Sequence, residues 1–300
     1  MTAATAAVAK VDAPSRRRAL RPRRLALYAF LTLMAITWLF PLLWAVLTAF
    51  RPYATTLKGY ITWPSVLNLD NFVNAWTKGE FPQFYLNSLI IAVPAVVLTL
   101  FIASMVAFAV TRFSWRFNLL ALMIFTAGNL LPAQVIIIPL YWLYQFLPFP
   151  PSDNGKLLYD QFLGVILINI VFQTGFCVFV LSNYMKTLSK ELTEAALADG
   201  ASVWRIYWNV ILPLCRPALA ALATLEFTFV YNDFFWALIL MKSGDKRPIT
   251  SALNNLQGQF FTDTNLLAAG ALLAAIPTIV VYLALQKQFI SGLTLGSSKG

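Results

Sequence analysis

The chain contains no histidine, and its 300 residues include only two cysteines and 12 acidic residues. Each scarcity excludes something. Without imidazole, Cys177 and Cys215 have no partners for a zinc site, and two thiols in or beside apolar runs make no disulfide framework. A membrane-embedded enzyme would gather His, Asp, Glu or Ser near one interface. Here the apolar runs hold only two acids, Glu226 and Asp233. No glycine-rich phosphate loop of the form GxxxxGKS or GxxxxGKT occurs, so ATP has no site on this chain. Charged residues make up 11% of the total, against about 25% in soluble proteins.

What is present instead is apolar length. Hydrophobic residues are 59% of the chain. They concentrate in runs at about 25–50, 86–110, 119–146, 162–184, 214–241 and 266–290. Each run reaches the roughly 20 residues a helix needs to cross a bilayer, and none shows the polar stripe of a soluble amphipathic helix. The expected fold is all-α: a polytopic membrane protein of six transmembrane helices.

The net charge of +10 is placed rather than spread. Lys10, Arg16, Arg17, Arg18, Arg21, Arg23 and Arg24 all precede the first run. Fifteen of the 22 basic residues fall on the side shared by both termini and seven on the other. That asymmetry predicts cytoplasmic N and C termini. It also points to membrane lipid rather than nucleic acid as the partner of the basic tail. Residues 1–24 read as a disordered basic tail, 25–290 as the six-span domain and 291–300 as a cytoplasmic C-terminal tail. The first run is too long for a signal-peptide core and lacks a small-residue cleavage site, so it reads as a retained span.

The short 111–118 connection predicts a hairpin of spans two and three. The longer 51–85 segment carries Trp63, Phe72 and Trp76, suited to a membrane interface. Pro41, Pro94, Pro132, Pro139 and Pro277 bend spans one, two, three and six.

The most distinctive stretch is EAALADGASVWRIYWNVILPLCRP, beginning at Glu194 and ending at Pro217, within a cytoplasmic loop at about 186–217. Physically it reads as two short helices. Ser189, Glu191 and Glu194 open the first, where acids suit the helix dipole. Ala195, Ala196 and Ala198 give it a shallow surface, and Gly200 ends it with a positive φ. Val203, Trp204, Tyr207, Val210 and Ile211 form an apolar face on the second, and Pro213 breaks it before span five. Two readings stay open at this level: a helix lying on lipid, or a surface for another protein.

This stretch resembles the EAA loop of permease subunits of bacterial ABC importers, matching at Glu194, Ala195, Ala196, Asp199, Gly200, Ala201, Leu212, Pro213 and Pro217. Tyr207 stands where phenylalanine is usual, and Val210 where isoleucine is usual. Further segments resemble MalG-type carbohydrate permeases: Asn87-Ser88-Leu89, Pro132-Ala133-Gln134, Ile138-Pro139-Leu140-Tyr141, and Tyr231 through Trp236. The tail with Gly292, Leu293, Thr294, Gly296, Lys299 and Gly300 is similar too. The resemblance implies a coupling helix seated on an ATPase subunit, with Trp204 and Tyr207 as part of it, and a C-terminal tail docked between the ATPases.

Glu226 and Asp233 lie seven residues apart in span five, so they are expected on one helix face. A charge facing hydrocarbon costs at least about 2.5–3.5 kcal/mol. They are therefore expected to face either a wet pathway, with Asn232, or a partner permease. Asn129, Gln134, Asn169 and Gln173 are further polar candidates, although amides also join helices. The combined reading is a permease subunit, not an enzyme, in the bacterial plasma membrane, with no cofactor of its own. Its implied partners are a MalF-like second permease, two ATP-binding subunits carrying ATP and Mg, an extracytoplasmic solute-binding protein and a di- or oligosaccharide. The alternatives are a non-sugar solute such as a glycerophosphate ester, or a stand-alone secondary transporter.

Overall fold

The computed structural model describes residues 22–59, 63, 67–129, 131–147, 158–256 and 263–294, without the side chains of 252, 255 and 288–294. Among the described residues every regular element is helical. Two compact units are distinguished, residues up to Ala45 and from Val46 onward. The first helix, α1 (Pro22–Ala49), is already helical at the first described residue, three residues before the apolar run. Within the first unit, residues 22–43 are exposed, and Phe40 stacks on Trp44 at 6.2 Å.

The second unit begins at the end of α1 and continues through α2 (Tyr53–Thr56) and α3 (Asp70–Lys78). Arg51 is buried here, with Nε and Nη2 donating to Thr56 Oγ1 at 3.1 and 2.9 Å. Thr56 in turn donates to Asn265 Oδ1 (2.8 Å), and Asn265 Nδ2 donates to the Thr48 and Arg51 carbonyls. Asn71 reaches the carbonyls of Ala49 and Arg51. These bonds satisfy main-chain groups where the chain leaves helical geometry.

The long helices α4 (Phe81–Arg112) and α7 (Phe162–Thr187) form the principal pair. Both helices bury small residues: Ala92, Ala95, Thr99, Ala103 and Ala107 on α4, and Gly164, Gly175, Cys177 and Ser182 on α7. Small side chains let helix backbones approach, which replaces the hydrophobic drive missing in lipid. Helix α5 (Asn118–Gly128) crosses α7 at Gly175, where an added Cβ would stand 2.1 Å from the Phe125 carbonyl. Beyond them lie α11 (Arg216–Tyr231) and α14 (Thr264–Thr294), packed on each other and, through α11, on α4. Two apolar clusters result, one around Phe81, Phe84, Tyr231, Trp236 and Ile249, the other around Phe108, Leu181, Met185, Ile206, Tyr207 and Leu222.

Among the described residues, four helices are long and apolar enough to cross a membrane, and up to six spans result if each of two bent pairs counts as one. The sequence predicts one span over 119–146, bent at its prolines, and one over 214–241, and each is interrupted. In the third, α5 ends before Pro132, which is extended (φ −62°, ψ 130°), and a 3₁₀ turn (Ala133–Ile136) leads into α6 (Ile137–Phe146). The residue before a proline is disfavoured in the helical region, which places the break.

The fifth span is interrupted twice. Its first bend, of 74°, falls at Cys215, between α10 (Leu212–Leu214) and α11, not at Pro213 as expected. Pro217 explains the position, since it has no N–H to offer the carbonyl one turn back. The second break is at Asn232, Asp233 and Phe234, before α12 (Phe235–Leu240). Asn232 donates to the Thr228 carbonyl (2.8 Å), and Asp233 Oδ1 accepts from the Trp236 N–H (3.2 Å). Short polar side chains that bond their own backbone compete with the helix. Helix α11 alone, at 16 residues, is about 24 Å long, so α12 is needed to complete a crossing of roughly 30 Å.

Candidate functional site

The segment between α7 and α11 forms the two short helices expected of it. The first is α8 (Glu191–Ala198), and Ser189 Oγ accepts from the Glu191 N–H at 3.2 Å. Gly200 follows with φ +78°, in open space. The turn therefore wants glycine for its backbone conformation and not for crowding. Ser202 then caps α9 (Val203–Ile206), its Oγ accepting from the Arg205 N–H at 3.3 Å. A π turn (Tyr207–Ile211) carries the chain into α10. Pro213 cannot donate to the carbonyl of Asn209, and a one-residue expansion of the helix at that point accommodates the loss.

Burial sorts the loop residues. Glu194, Ala195, Asp199 and Gly200 are exposed, as is Trp204, while Ala196, Leu212 and Pro213 are half-buried. The expected apolar face of the second helix divides: Tyr207 and Ile211 are buried, and Val203 and Trp204 point outward. Ile206 was not singled out by periodicity but is fully buried, because the π turn shifts the inward face by one residue. What the loop presents is a small-residue, acid-bearing surface with aromatic rings beside it. Trp204 packs at 5.6 Å from Tyr207 and 5.7 Å from Trp208.

The polar candidates of the spans do not form one group. Glu226 is completely buried on α11, with Oε1 accepting from Cys177 Sγ on α7 at 3.2 Å. Asp233 lies beyond the end of α11, so the expected shared helix face does not exist. Its Oδ2 accepts from Asn169 Nδ2 at 3.4 Å, and its carbonyl from Thr250 Oγ1 at 3.1 Å. Gln173 follows Asn169 by one turn on α7 and is half-buried, while Asn232 is exposed at the break. Phe172 and Trp236 meet at 5.3 Å in the same neighbourhood. Asn129 is occupied otherwise: its amide bridges the Phe172 carbonyl (2.8 Å) and the Phe176 N–H (2.7 Å) of α7. Gln134 is exposed in the 3₁₀ turn.

Asn87 and Ser88 hold the connection between α12 and α14, which contains the short helix α13 (Ile249–Ala252). Asn87 Nδ2 donates to the Asp245 and Arg247 carbonyls (2.7 and 3.0 Å), and Ser88 Oγ accepts from the Ile249 N–H (2.8 Å). Asp160 caps the same connection from the other side. Its Oδ1 accepts from the N–H groups of Lys242 and Ser243, both at 2.9 Å, and its Oδ2 from the Ser243 hydroxyl. No periodic or motif signal marks such a loop carboxylate. At the far end, α14 continues through Gly292, Leu293 and Thr294 in helical geometry, beyond the expected limit at 290. Gly296, Lys299 and Gly300 lie outside the described residues, as do residues 1–21 of the basic tail.

Comparison with known proteins agrees with this architecture. The chain is 32% identical over 281 residues to the arabinooligosaccharides transport system permease protein AraQ of Halalkalibacterium halodurans, covering 91% of this chain and 94% of the relative. It is 30% identical over 289 residues to YurM of Bacillus subtilis, a probable ABC transporter permease, covering 96% and 92%. The fold matches a chain in the crystal structure of a bacterial ABC transporter that imports the acidic polysaccharide alginate. That match has a TM-score of 0.76 and 24% identity, and it covers 92% of this chain and all of that one. Residues 95–294, which include the loop, the broken fifth span and all of α14, match a single family model. The chain belongs to the family of binding-protein-dependent transport system inner membrane components.

Proposed function

We propose that this chain is one of two permease subunits forming the translocation pathway of a di- or oligosaccharide importer, with both termini and the loop around Gly200 in the cytoplasm. The observation that carries the sugar reading is the break in the fifth span. Asn169, Gln173, Asn232 and Asp233 offer hydrogen-bond donors and acceptors there, beside the Phe172 and Trp236 rings. Sugars are recognised by that combination of directed polar groups and flat apolar faces. Helices broken within the membrane also leave main-chain groups free for a solute. AraQ, the relative named for arabinooligosaccharides, supports the same class. Asp233 places negative charge at the break, which opposes an anionic glycerophosphate ester.

In this reading the exposed surface of Glu194, Ala195 and Asp199 seats on an ATP-hydrolysing subunit, one of two that bind ATP and Mg. The tail at Gly292 to Gly300 docks between those subunits. A second, MalF-like permease completes the pathway, and a loaded solute-binding protein delivers the sugar from outside. ATP drives the cycle by binding one conformation of the assembly more tightly than the other, since a ligand shifts an equilibrium only by its differential affinity.

The test is uptake in cells lacking this chain and complemented with it. Labelled arabino-oligosaccharides or related sugars should accumulate only in complemented cells, and an excess of glycerophosphodiester should not compete. Competition by the ester and not by sugars would reverse the substrate assignment. Glu194→Lys should lower the amount of ATPase subunit that co-purifies, because a reversed charge at an interface is strongly unfavourable.

A further inference from the structure

Helix α4 is fastened to the loop at two places, and neither belongs to the surface assigned to the ATPase. The first is Arg112, the last residue of α4. Its Nη2 donates to the Met185 carbonyl at 2.8 Å, and its Nη1 donates to the carbonyls of Leu188 and Ser189, both at 3.2 Å. The Met185 carbonyl also accepts the Leu188 N–H at 3.2 Å, and the Leu188 and Ser189 carbonyls lie just past the C-terminus of α7, where a cation is favoured by the helix dipole. Leu188 and Ser189 begin the short linker to α8, and Ser189 itself caps the Glu191 N–H. The guanidinium thus binds the stem from which α8 emerges.

The second fastening is eight residues back along α4. Ser104 Oγ lies 2.7 Å from the Tyr207 hydroxyl, both side chains buried. The Phe108 ring lies 5.3 Å from that of Tyr207. Tyr207 opens the π turn at the returning end of the loop. Tyr184 closes the circuit by donating to the Leu214 carbonyl at 3.2 Å.

Continuity along the chain is poor at both ends of the loop. Between α7 and α8 the helix stops at Leu188. Between α9 and α11 stand a π turn, Pro213 and the 74° bend at Cys215. A displacement of α8 therefore passes weakly along the main chain into α7 or α11. The sideways bonds to α4 are the stiffer path: three charge-assisted bonds to main-chain carbonyls, and one buried hydroxyl pair packed between rings.

We propose that Arg112, with the Ser104–Tyr207 pair, is a positioning residue that makes α4 follow the loop when the ATPase subunits move it. This rests on reading the loop as the ATPase-contacting element. Helix α4 then acts as the lever by which closure reaches the spans, because it is the helix packed most extensively on α7 and also against α11.

The experiment uses the complete transporter in lipid, with its binding protein and substrate. Spin labels at Trp115→Cys and Leu197→Cys, both exposed positions, replace the native thiols after Cys177→Ser and Cys215→Ser. If α4 follows the loop, the 115–197 distance distribution stays the same with and without ATP. A distance that changes on ATP binding in the otherwise unaltered protein overturns the proposal without any Arg112 variant. In Arg112→Gln, the ATPase subunit should still co-purify, the distance should become ATP-dependent, and sugar transported per ATP should fall about tenfold, the size of an ordinary coupling between sites. Arg112→Lys keeps the charge but not the fork, and should recover part of that loss. Unaltered transport per ATP in Arg112→Gln overturns the lever. Loss of ATPase binding in that variant overturns it too, by making Arg112 a docking residue. If Glu194→Lys leaves ATPase binding and coupling intact, the loop reading itself fails and the lever falls with it.

Discussion

Cys177 Sγ donates to Glu226 Oε1 across 3.2 Å, and both side chains are completely buried between α7 and α11. Glu226 Oε2 has no partner among the described residues. The acid therefore sits inside this chain, whereas Asp233, at the end of α11, is half-buried and borders the break. Cysteines at the two positions, in a background of Cys177→Ser and Cys215→Ser, should behave differently. Asp233→Cys should react with a small water-soluble thiol reagent and be slowed by bound sugar, since reaction needs a hydrated thiolate. Glu226→Cys should remain inert. Rapid labelling at 226 would show that the bundle opens around α11 during the cycle.

Gly175 and Gly128 offer a matched pair of substitutions. A Cβ at Gly175 would stand 2.1 Å from the Phe125 carbonyl and 2.6 Å from the Asn129 side-chain amide, while one at Gly128 meets nothing within 4 Å. Gly175→Ala should destabilise the purified protein by about 1–3 kcal/mol as α5 is pushed from α7. Gly128→Ala should be neutral or slightly stabilising, because alanine costs less helix entropy than glycine. Thermal midpoints by intrinsic fluorescence would decide it; equal midpoints would refute the close crossing.

Gly200 separates strain from crowding, because its φ is +78° in open space. Gly200→Val should cost on the order of 1–2 kcal/mol of local strain and uncouple transport from ATP hydrolysis without loss of membrane insertion. Gly200→Asn should retain most transport, since asparagine tolerates the left-handed region. Comparing sugar uptake per ATP in the two variants checks this, and equal uptake in both would remove the need for a positive φ.

Asp160 supplies the pH-dependent prediction. Burial acts to raise its pKa, but hydrogen bonds from the Ser243 hydroxyl and from the Ser243 and Lys242 N–H groups, with the nearby Lys246 charge, outweigh it, and the net shift is downward. A lowered folded-state pKa means a stabilising contribution that is present above the unfolded carboxylate value of about 3.9 and disappears as pH falls through the folded value. Asp160→Asn should accordingly be less stable than the parent at pH 6 to 7, and the gap should narrow below about pH 4. Stability measured across that range would contradict the assignment if the gap were constant.

The membrane character, the six apolar runs, the two-helix loop and the glycine turn within it were legible in the sequence. Each depends on local causes: the length an apolar helix needs to cross lipid, the backbone freedom of Gly200, the small residues of α8. Prolines marked where span three would depart from a straight helix, but not that it would break, since that is set by which neighbours satisfy the freed carbonyls; the break at Asn232, Asp233 and Phe234 in span five carries no proline. Only the tertiary structure turned Glu226 toward Cys177, 49 residues away, and Asp233 out of the helix. Only it brought Arg112 to carbonyls more than 70 residues along the chain, Ser104 to Tyr207, and Asp160 to Ser243. Sequence spacing fixes which residues share a face within one helix. Which face meets which neighbour follows from packing between helices, and small residues such as Gly175 set that through how closely two backbones can approach.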